Sequence, residues 1–300
     1  MKKNQSQTMP IQRTPRKHLN DFAVFILCHG RPWNTPSYDT LRRYGYTGKI
    51  YIICDDEDKE LDGYKRVFGE DIVQVFSKDE VAKYMDPMDN KGDRRCAVYA
   101  RNACYDIAEK LGLSYFTQWD DDYVGCPYRW EEDGVLYRSE SANLDDVFEA
   151  YIDFMEISDA IYSVAFGQPG DFIGGVGSRL HIAQYRRKCM NSWICKTDRR
   201  LYFNGTMNDD FLMYSLDGSR GRVFLTFDFI MIDQPETQQV QGGMTDMYLG
   251  AGTYQKTWYG IMACPSFVKA GMMGDRHYRI HHQTDHKSAY PMIISGRYKK

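Results

Sequence analysis

Residues 100–122 read ARNACYDIAEKLGLSYFTQWDDD, and the parsing of this stretch decides the fold. From Arg94 onward, Ala97, Ala100, Cys104, Ile107, Ala108 and Leu111 recur at helical spacing, and Gly112 is placed to stop the helix. SYFTQW (114–119) is then a strand, with Asp120, Asp121 and Asp122 at its end. Three adjacent carboxylates repel one another, so they ask for water or for a cation. An acidic triplet alone reads most simply as a solvated turn. Its place at a strand end, after a strong helix–strand unit, favours the cation, because hard divalent ions take carboxylate oxygens. The D-x-D-x-D-G spacing of an EF-hand loop is absent.

Outward from there, the same alternation repeats. FAVFILC (22–28) is a strand buried on both faces and stops at HGRPWNTP, a loop of turn formers. SYDTLRRYGY reads as a helix ended by Gly45, KIYIIC as a second strand running into Asp55-Asp56-Glu57-Asp58, ELDGYKRVFG as a helix, and DIVQVF as a third strand. This series predicts an α/β fold with a mostly parallel sheet flanked by helices. In such sheets ligands bind outside the carboxyl ends of the strands, so HGRP, DDED and DDD should line one edge.

Beyond residue 130 the texture changes. LDDVFEAYIDFMEI is an amphipathic helix, AIYSVAFG a strand, DFIGGVGS a Gly-rich loop and VFLTFDFIMIDQP antiparallel strand material. GGMTDMYLGAGTY is Gly-rich with few core residues and suits a lid. No internal repeat or linker divides the chain, so a single domain over 21–300 is expected, after a flexible arm over 1–20.

The hydrophobic fraction of 43% is that of a folded protein, and a net charge of -3 argues against a chain whose main task is coating nucleic acid. The eight cysteines form no C-x-x-C pair, and several lie within apolar runs, the pattern of reduced thiols in an intracellular protein. No apolar run reaches membrane-span length, and the basic N-terminus lacks the apolar core of a signal peptide.

HGRP, LRRYGYTGKIYIICDDED, ARNACYDIAEKLG and WDDDY together resemble the phage TET-associated glycosyltransferases, a group of GT-A type, over most of residues 22–290. NGTMNDDFLMYSLDGSRG and the HH-containing tail add to the resemblance. It implies a GT-A-like, Rossmann-type fold with an elaborated C-terminal half, residues 21–125 holding the nucleotide-sugar and 126–300 the acceptor. It also implies sugar transfer from a UDP-sugar, with Mn²⁺ or Mg²⁺, to the hydroxyl of 5-hydroxymethylcytosine in DNA, in the cytoplasm of a phage-infected bacterium. By position, Asp55 or Asp56 would take the base or ribose, and His29, Gly30, Arg31 and Arg101 would flank the nucleotide. Asp120 would approach ribose and metal, and Asp122 would be the principal metal ligand. Asp121 is counted with the nucleotide-side residues, though the pattern gives it no contact of its own.

Asp209 and Asp210 of MNDDF fall where an acceptor-side acid is expected, and either carboxylate can take the proton of an attacking hydroxyl. Asn208 also reads as a helix N-cap with acids in the first turn. His281 and His282, with His286 nearby, are candidates to complete a metal site. RLHIAQYRRK and TDRRLYF interleave Arg with aromatics, as phosphate contact and base stacking require, and equally as a solvated basic face would. Other readings compatible with the same residues are a protein or glycan acceptor, and a nucleotidyltransferase. A non-catalytic DNA-binding module has no need of acidic strand ends.

Overall fold

The computed structural model describes residues 16–89, 91–140, 142–169, 189–234, 245–274, 278–285 and 289, with the backbone alone over 245–253. The DFIGGVGS loop, RLHIAQYRRK, His286 and residues 1–15 of the arm lie outside the described residues. The first half alternates as the sequence predicts, with one short helix, α3, added: β1 (Phe22–Leu27), α1 (Pro36–Arg43), β2 (Lys49–Asp55), α2 (Leu61–Phe68), β3 (Val73–Phe76), α3 (Lys78–Ala82), α4 (Val98–Lys110) and β4 (Tyr115–Asp120). There follow β5 (Tyr128–Glu132), β6 (Val135–Ser139), α5 (Leu144–Met155), β7 (Ile161–Gly167), β8 (Ile194–Lys196), α6 (Asp209–Ser219), β9 (Val223–Met231), α7 (Thr245–Ala263), β10 (Val268–Met273) and β11 (Arg279–Thr284).

Among the described residues one sheet runs through both halves in the order β3-β2-β1-β4-β8-β7-β9-β5-β6, and β10 and β11 form a separate ribbon. β3, β2, β1 and β4 are mutually parallel, while β8 runs antiparallel to both β4 and β7. The 223–231 strand, read from sequence as antiparallel, is parallel to β7 and antiparallel only to β5. The register sets Leu27 beside both Ile53 and Asp120, so the loops after β1, β2 and β4 open on one edge.

The pleat divides the core. Phe25 and Phe116 stack beneath α4 with Tyr105 edge-on, whereas Phe22 and Trp119 pack toward Phe148 of α5 on the other face. α4 ends as its sequence requires: Gly112 takes φ +66° and Leu113 N–H returns to the Ala108 carbonyl at 2.9 Å.

Two expectations need correction. Residues 16–20, assigned to a flexible arm, are fastened to α5, because Glu149 accepts the backbone N–H groups of His18 (2.8 Å) and Leu19 (3.0 Å), and Arg16 pairs with Asp145 at 2.7 Å. The Gly-rich lid becomes helix from Thr245 on, with residues 242–244 outside the described residues. Later in the same helix a Cβ on Gly260 would meet Phe211 Cε1 of α6 at 2.8 Å, so glycine there permits close helix approach. Among the described residues no helix is long and apolar enough to cross a membrane.

Candidate active site

The loop after β1 is held in shape by acids from the neighbouring strand end. Gly30, at φ +71°, donates its N–H to Asp58 Oδ2 (2.8 Å), and Arg31 N–H bonds to the Tyr64 hydroxyl (2.8 Å). Asp55 is buried. Its Oδ2 accepts from His29 Nδ1 (2.8 Å), and its Oδ1 meets Lys78 Nζ (3.0 Å) and Glu57 N–H (3.1 Å). Burial alone would raise the Asp55 pKa, but the bonds from His29 and Lys78 outweigh it and hold the carboxyl below its ordinary value. The same bond from Asp55 raises the pKa of His29. Asp56 is exposed and accepts the Lys78 N–H at 3.0 Å, capping α3. Both Asp55 oxygens are thus engaged, and His29, with its side chain 55% exposed, is open at this end of the edge.

The triplet divides by the pleat of β4. Asp120, on the Phe116 side, turns to α4 and accepts from Arg101 Nη2 at 3.1 Å, with Tyr123 OH at 3.3 Å from its other oxygen. Asp121, on the opposite side, is buried and takes Arg31 Nη2 at 2.6 Å. Asp121 therefore braces the Arg31 loop, a role its sequence setting did not reveal. Burial first, then Asp122 and Asp120, push its pKa up to about 7 against the pull of Arg31. Asp122 is half-buried, and burial followed by Asp120 pushes it up to about 6.

Arg101, expected to flank the nucleotide, is buried and turned onto carboxylates. Its Nε donates to Asp209 Oδ2 at 2.7 Å, and the guanidinium lies 4.4 Å from the centroid of the Trp193 ring. Asp209 is therefore tied to α4, which separates it from Asp210. Asp210 is half-buried, accepts Phe211 N–H at 2.7 Å, and has a raised pKa because burial and Asp209 outweigh the cation Lys256. Asn208 occupies the N-cap position in a left-handed conformation, φ +63°, and makes no capping bond.

β11 carries the histidines to this acceptor-side turn. The His282 ring lies 4.2 Å from that of Phe211 and 4.3 Å from that of His281. Burial, then Lys256 and Arg279, lower the His281 pKa. The described residues contain no grouping of three or more His, Cys, Asp or Glu side chains that would hold a metal ion. Of the four expected metal ligands, Asp120 and Asp122 sit at the end of β4, and His281 and His282 lie beside the first turn of α6, which Arg101 links to Asp120.

The basic TDRRLYF stretch has an intramolecular use. Arg199 pairs with Asp159 at 2.9 Å, and Arg200 pairs with Asp106 at 2.5 Å while lying over the rings of Tyr84 and Tyr105. Sequence reasoning missed Lys78, Trp193 and Lys256. Lys78 opens the helix after β3, so the strand-end rule applied to that strand as well would have found it.

A parallel sheet edge with a fixed loop after β1, a His–Asp–Lys cluster after β2 and a carboxylate pair after β4 is the edge on which α/β sheets bind their ligands. The chain belongs to the TET-associated glycosyltransferase family, whose model matches residues 22–243, and it is a glycosyltransferase. A search of curated proteins finds no match to this chain. Among solved structures it is similar to glucosyl-3-phosphoglycerate synthase from Mycobacterium tuberculosis. The complex with Mn²⁺ and UDP-glucose gives a TM-score of 0.46 at 9% identity, covering 88% of this chain and 86% of that one. The Mg²⁺–UDP complex gives 0.45 at 10% identity, covering 88% and 87%.

Proposed function

We propose that the protein transfers a sugar from a UDP-sugar to the hydroxyl of 5-hydroxymethylcytosine in DNA, using a divalent cation. The observation that carries the donor half is the gathering of the loops after β1, β2 and β4 on one sheet edge. Membership in a family named for its association with TET supports the hydroxymethylated acceptor. Residues 21–125 form the donor half and 126–300 the acceptor half in this reading.

The carboxylates suit the cation. Asp122 and Asp120 are hard oxygen donors whose mutual repulsion and burial keep Asp122 close to protonation, a cost that a bound cation removes. Mg²⁺-type ions are commonly held by one or two carboxylates with substrate phosphates completing the shell, so two protein ligands suffice. When bound, the ion neutralises charge developing on the leaving diphosphate. His29, Gly30 and Arg31 shape the nucleoside end, with Asp55 and Lys78 fixing the imidazole.

On the acceptor side the hydroxyl oxygen forms the new bond to the anomeric carbon as the bond to the diphosphate oxygen breaks. If configuration inverts, Asp210 takes the hydroxyl proton, since Asp209 is already bound to Arg101 and Lys256 favours an ionised Asp210. A retaining route needs no such base.

Mass spectrometry of hydroxymethylcytosine DNA incubated with the protein, Mn²⁺ and a panel of UDP-sugars tests the reading. One hexose or N-acetylhexosamine mass per modified base is expected. No gain with any donor, alongside transfer to a peptide, would remove DNA as the acceptor.

A further inference from the structure

One guanidinium joins the two acidic sites. Arg101 Nη2 reaches Asp120 Oδ1 at 3.1 Å and its Nε reaches Asp209 Oδ2 at 2.7 Å, so a single buried cation spans the end of β4 and the start of α6. We propose that Arg101 is a positioning residue that couples donor side to acceptor side: drawing Asp120 onto a divalent cation leaves Arg101 to Asp209 alone. The inference rests on the reading of the β4 end as a cation site.

The surroundings fix the base of the Arg101 side chain and leave its head a choice. Its own carbonyl accepts Gln118 Nε2 at 3.0 Å, which locks α4 to β4. On the next residue Asn102 bonds the Phe203 carbonyl at 2.7 Å and the Phe203 N–H at 3.0 Å, which ties the same turn to the segment before α6. The guanidinium lies over the Trp193 ring, and its third nitrogen, Nη1, is buried with no hydrogen-bond partner among the described residues. Asp120 and Asp209 are partly exposed, at 30% and 21% of their side chains, so each can turn while Arg101 stays buried. Without a cation, Arg101 neutralises Asp120. A cation there competes with the guanidinium for the same oxygen, and Asp209 competes with Asp120 for the guanidinium.

Linkage makes the competition measurable and reciprocal. With Asp209→Asn the guanidinium has Asp120 as its main partner, so the cation should bind more weakly although Asp209 is no ligand to it. Simple loss of a negative charge nearby predicts the same direction, so the decisive quantity is whether the effect depends on Arg101. Arg101→Met removes the link. If Arg101 carries the coupling, Asp209→Asn has little effect in that background, whereas through-space electrostatics would leave it unchanged.

The experiment is calorimetric titration of Mn²⁺ into the full chain with saturating UDP, for wild type, both single variants and the double variant. Circular dichroism reports folding, and Arg101→Gln replaces Arg101→Met if the latter does not fold. Asp209→Asn should weaken Mn²⁺ about fivefold in the wild-type background, at the low end of typical couplings. It should change affinity less than about twofold once Arg101 is gone. Equal effects in both backgrounds, or no effect in either, overturn the proposal while the donor site stands. A wild-type chain that takes up no Mn²⁺ with UDP overturns the cation-site reading itself.

Discussion

Replacing Lys78 with methionine should cost the fold about 3 kcal/mol at pH 8, the low end of what breaking a buried ion pair costs. Lys78 and Asp55 each expose 6% of their side chains, and their charged atoms lie 3.0 Å apart. Methionine keeps most of the aliphatic stem and removes only the ammonium. Losing one partner of a buried pair typically costs about 3–5 kcal/mol, because the other charge is left uncompensated. Asp55 keeps the His29 imidazole at 2.8 Å and the Glu57 N–H at 3.1 Å, and those bonds bring the expected loss to the lower end.

The pH dependence gives a second, signed check. Asp55 raises the His29 pKa in the folded state, and Lys78 opposes that rise. A raised histidine contributes stability that is fully present below its ordinary value of 6.5 and is lost as pH climbs through the folded value. Without Lys78 the His29–Asp55 bond strengthens, so the variant recovers part of its deficit at pH 6. That recovery stays under about 1 kcal/mol because the imidazole is more than half exposed. Urea denaturation of both proteins at pH 6 and pH 8 measures both quantities. A variant within about 0.5 kcal/mol of wild type at pH 8, or one that falls further behind at pH 6, refutes the reasoning.

Asp122→Ala should abolish Mn²⁺-dependent UDP binding while leaving the far-ultraviolet circular dichroism unchanged; undiminished calorimetric affinity in Mn²⁺ would return Asp122 to the acidic turn. Asp210→Asn should leave UDP affinity within about twofold and cut turnover by about 10²–10⁴, the range for loss of a general base, as measured in the DNA transfer assay. Turnover near wild type would rule out Asp210 as the base. Gly205→Ala should destabilise by about 1–3 kcal/mol in urea, since Gly205 sits at φ +78° and the added Cβ would meet Leu212 Cδ1 at 2.6 Å.

Residues 22–120 were legible because their signals are local: strands buried on both faces, helices with a 3.6 period, and glycines at 45 and 112 where helices end. The partners of the site residues were not. Arg101 and Asp209 lie 108 positions apart, and only the docking of α6 beside α4 brings them within 2.7 Å. Asp120 and Asp121 look equivalent in WDDDY, yet the two-residue alternation carried past Trp119 sends them to opposite faces, one to Arg101 and one to Arg31. Arg199 and Arg200 carry the same local pattern whether they face phosphate or protein, and the acids they meet, Asp159 and Asp106, come from other elements. In the 245–263 helix, Gly250 and Gly252 depress helix propensity, so the local sequence did not announce a helix there.

The turn before α6 shows how the acids at 209 and 210 acquire different chemistry. A left-handed Asn208 that capped its helix would need no further explanation, since Asn tolerates that conformation and is a favoured cap. Its side chain makes no capping bond and its Nδ2 is buried with no partner among the described residues, so the left-handed residue does not serve helix stability through its amide. The turn does fix the aim of the next two residues. Asp209 meets a buried arginine that neutralises it, while Asp210 lies beside Lys256 in surroundings that raise its pKa. A general base must be ionised before the reaction and receptive to a proton during it. Burial supplies the receptivity, and Lys256 favours the ionised form. Asp209 has its Oδ2 taken by Arg101 and so lacks the receptivity, which leaves Asp210 as the residue proposed to act as the base.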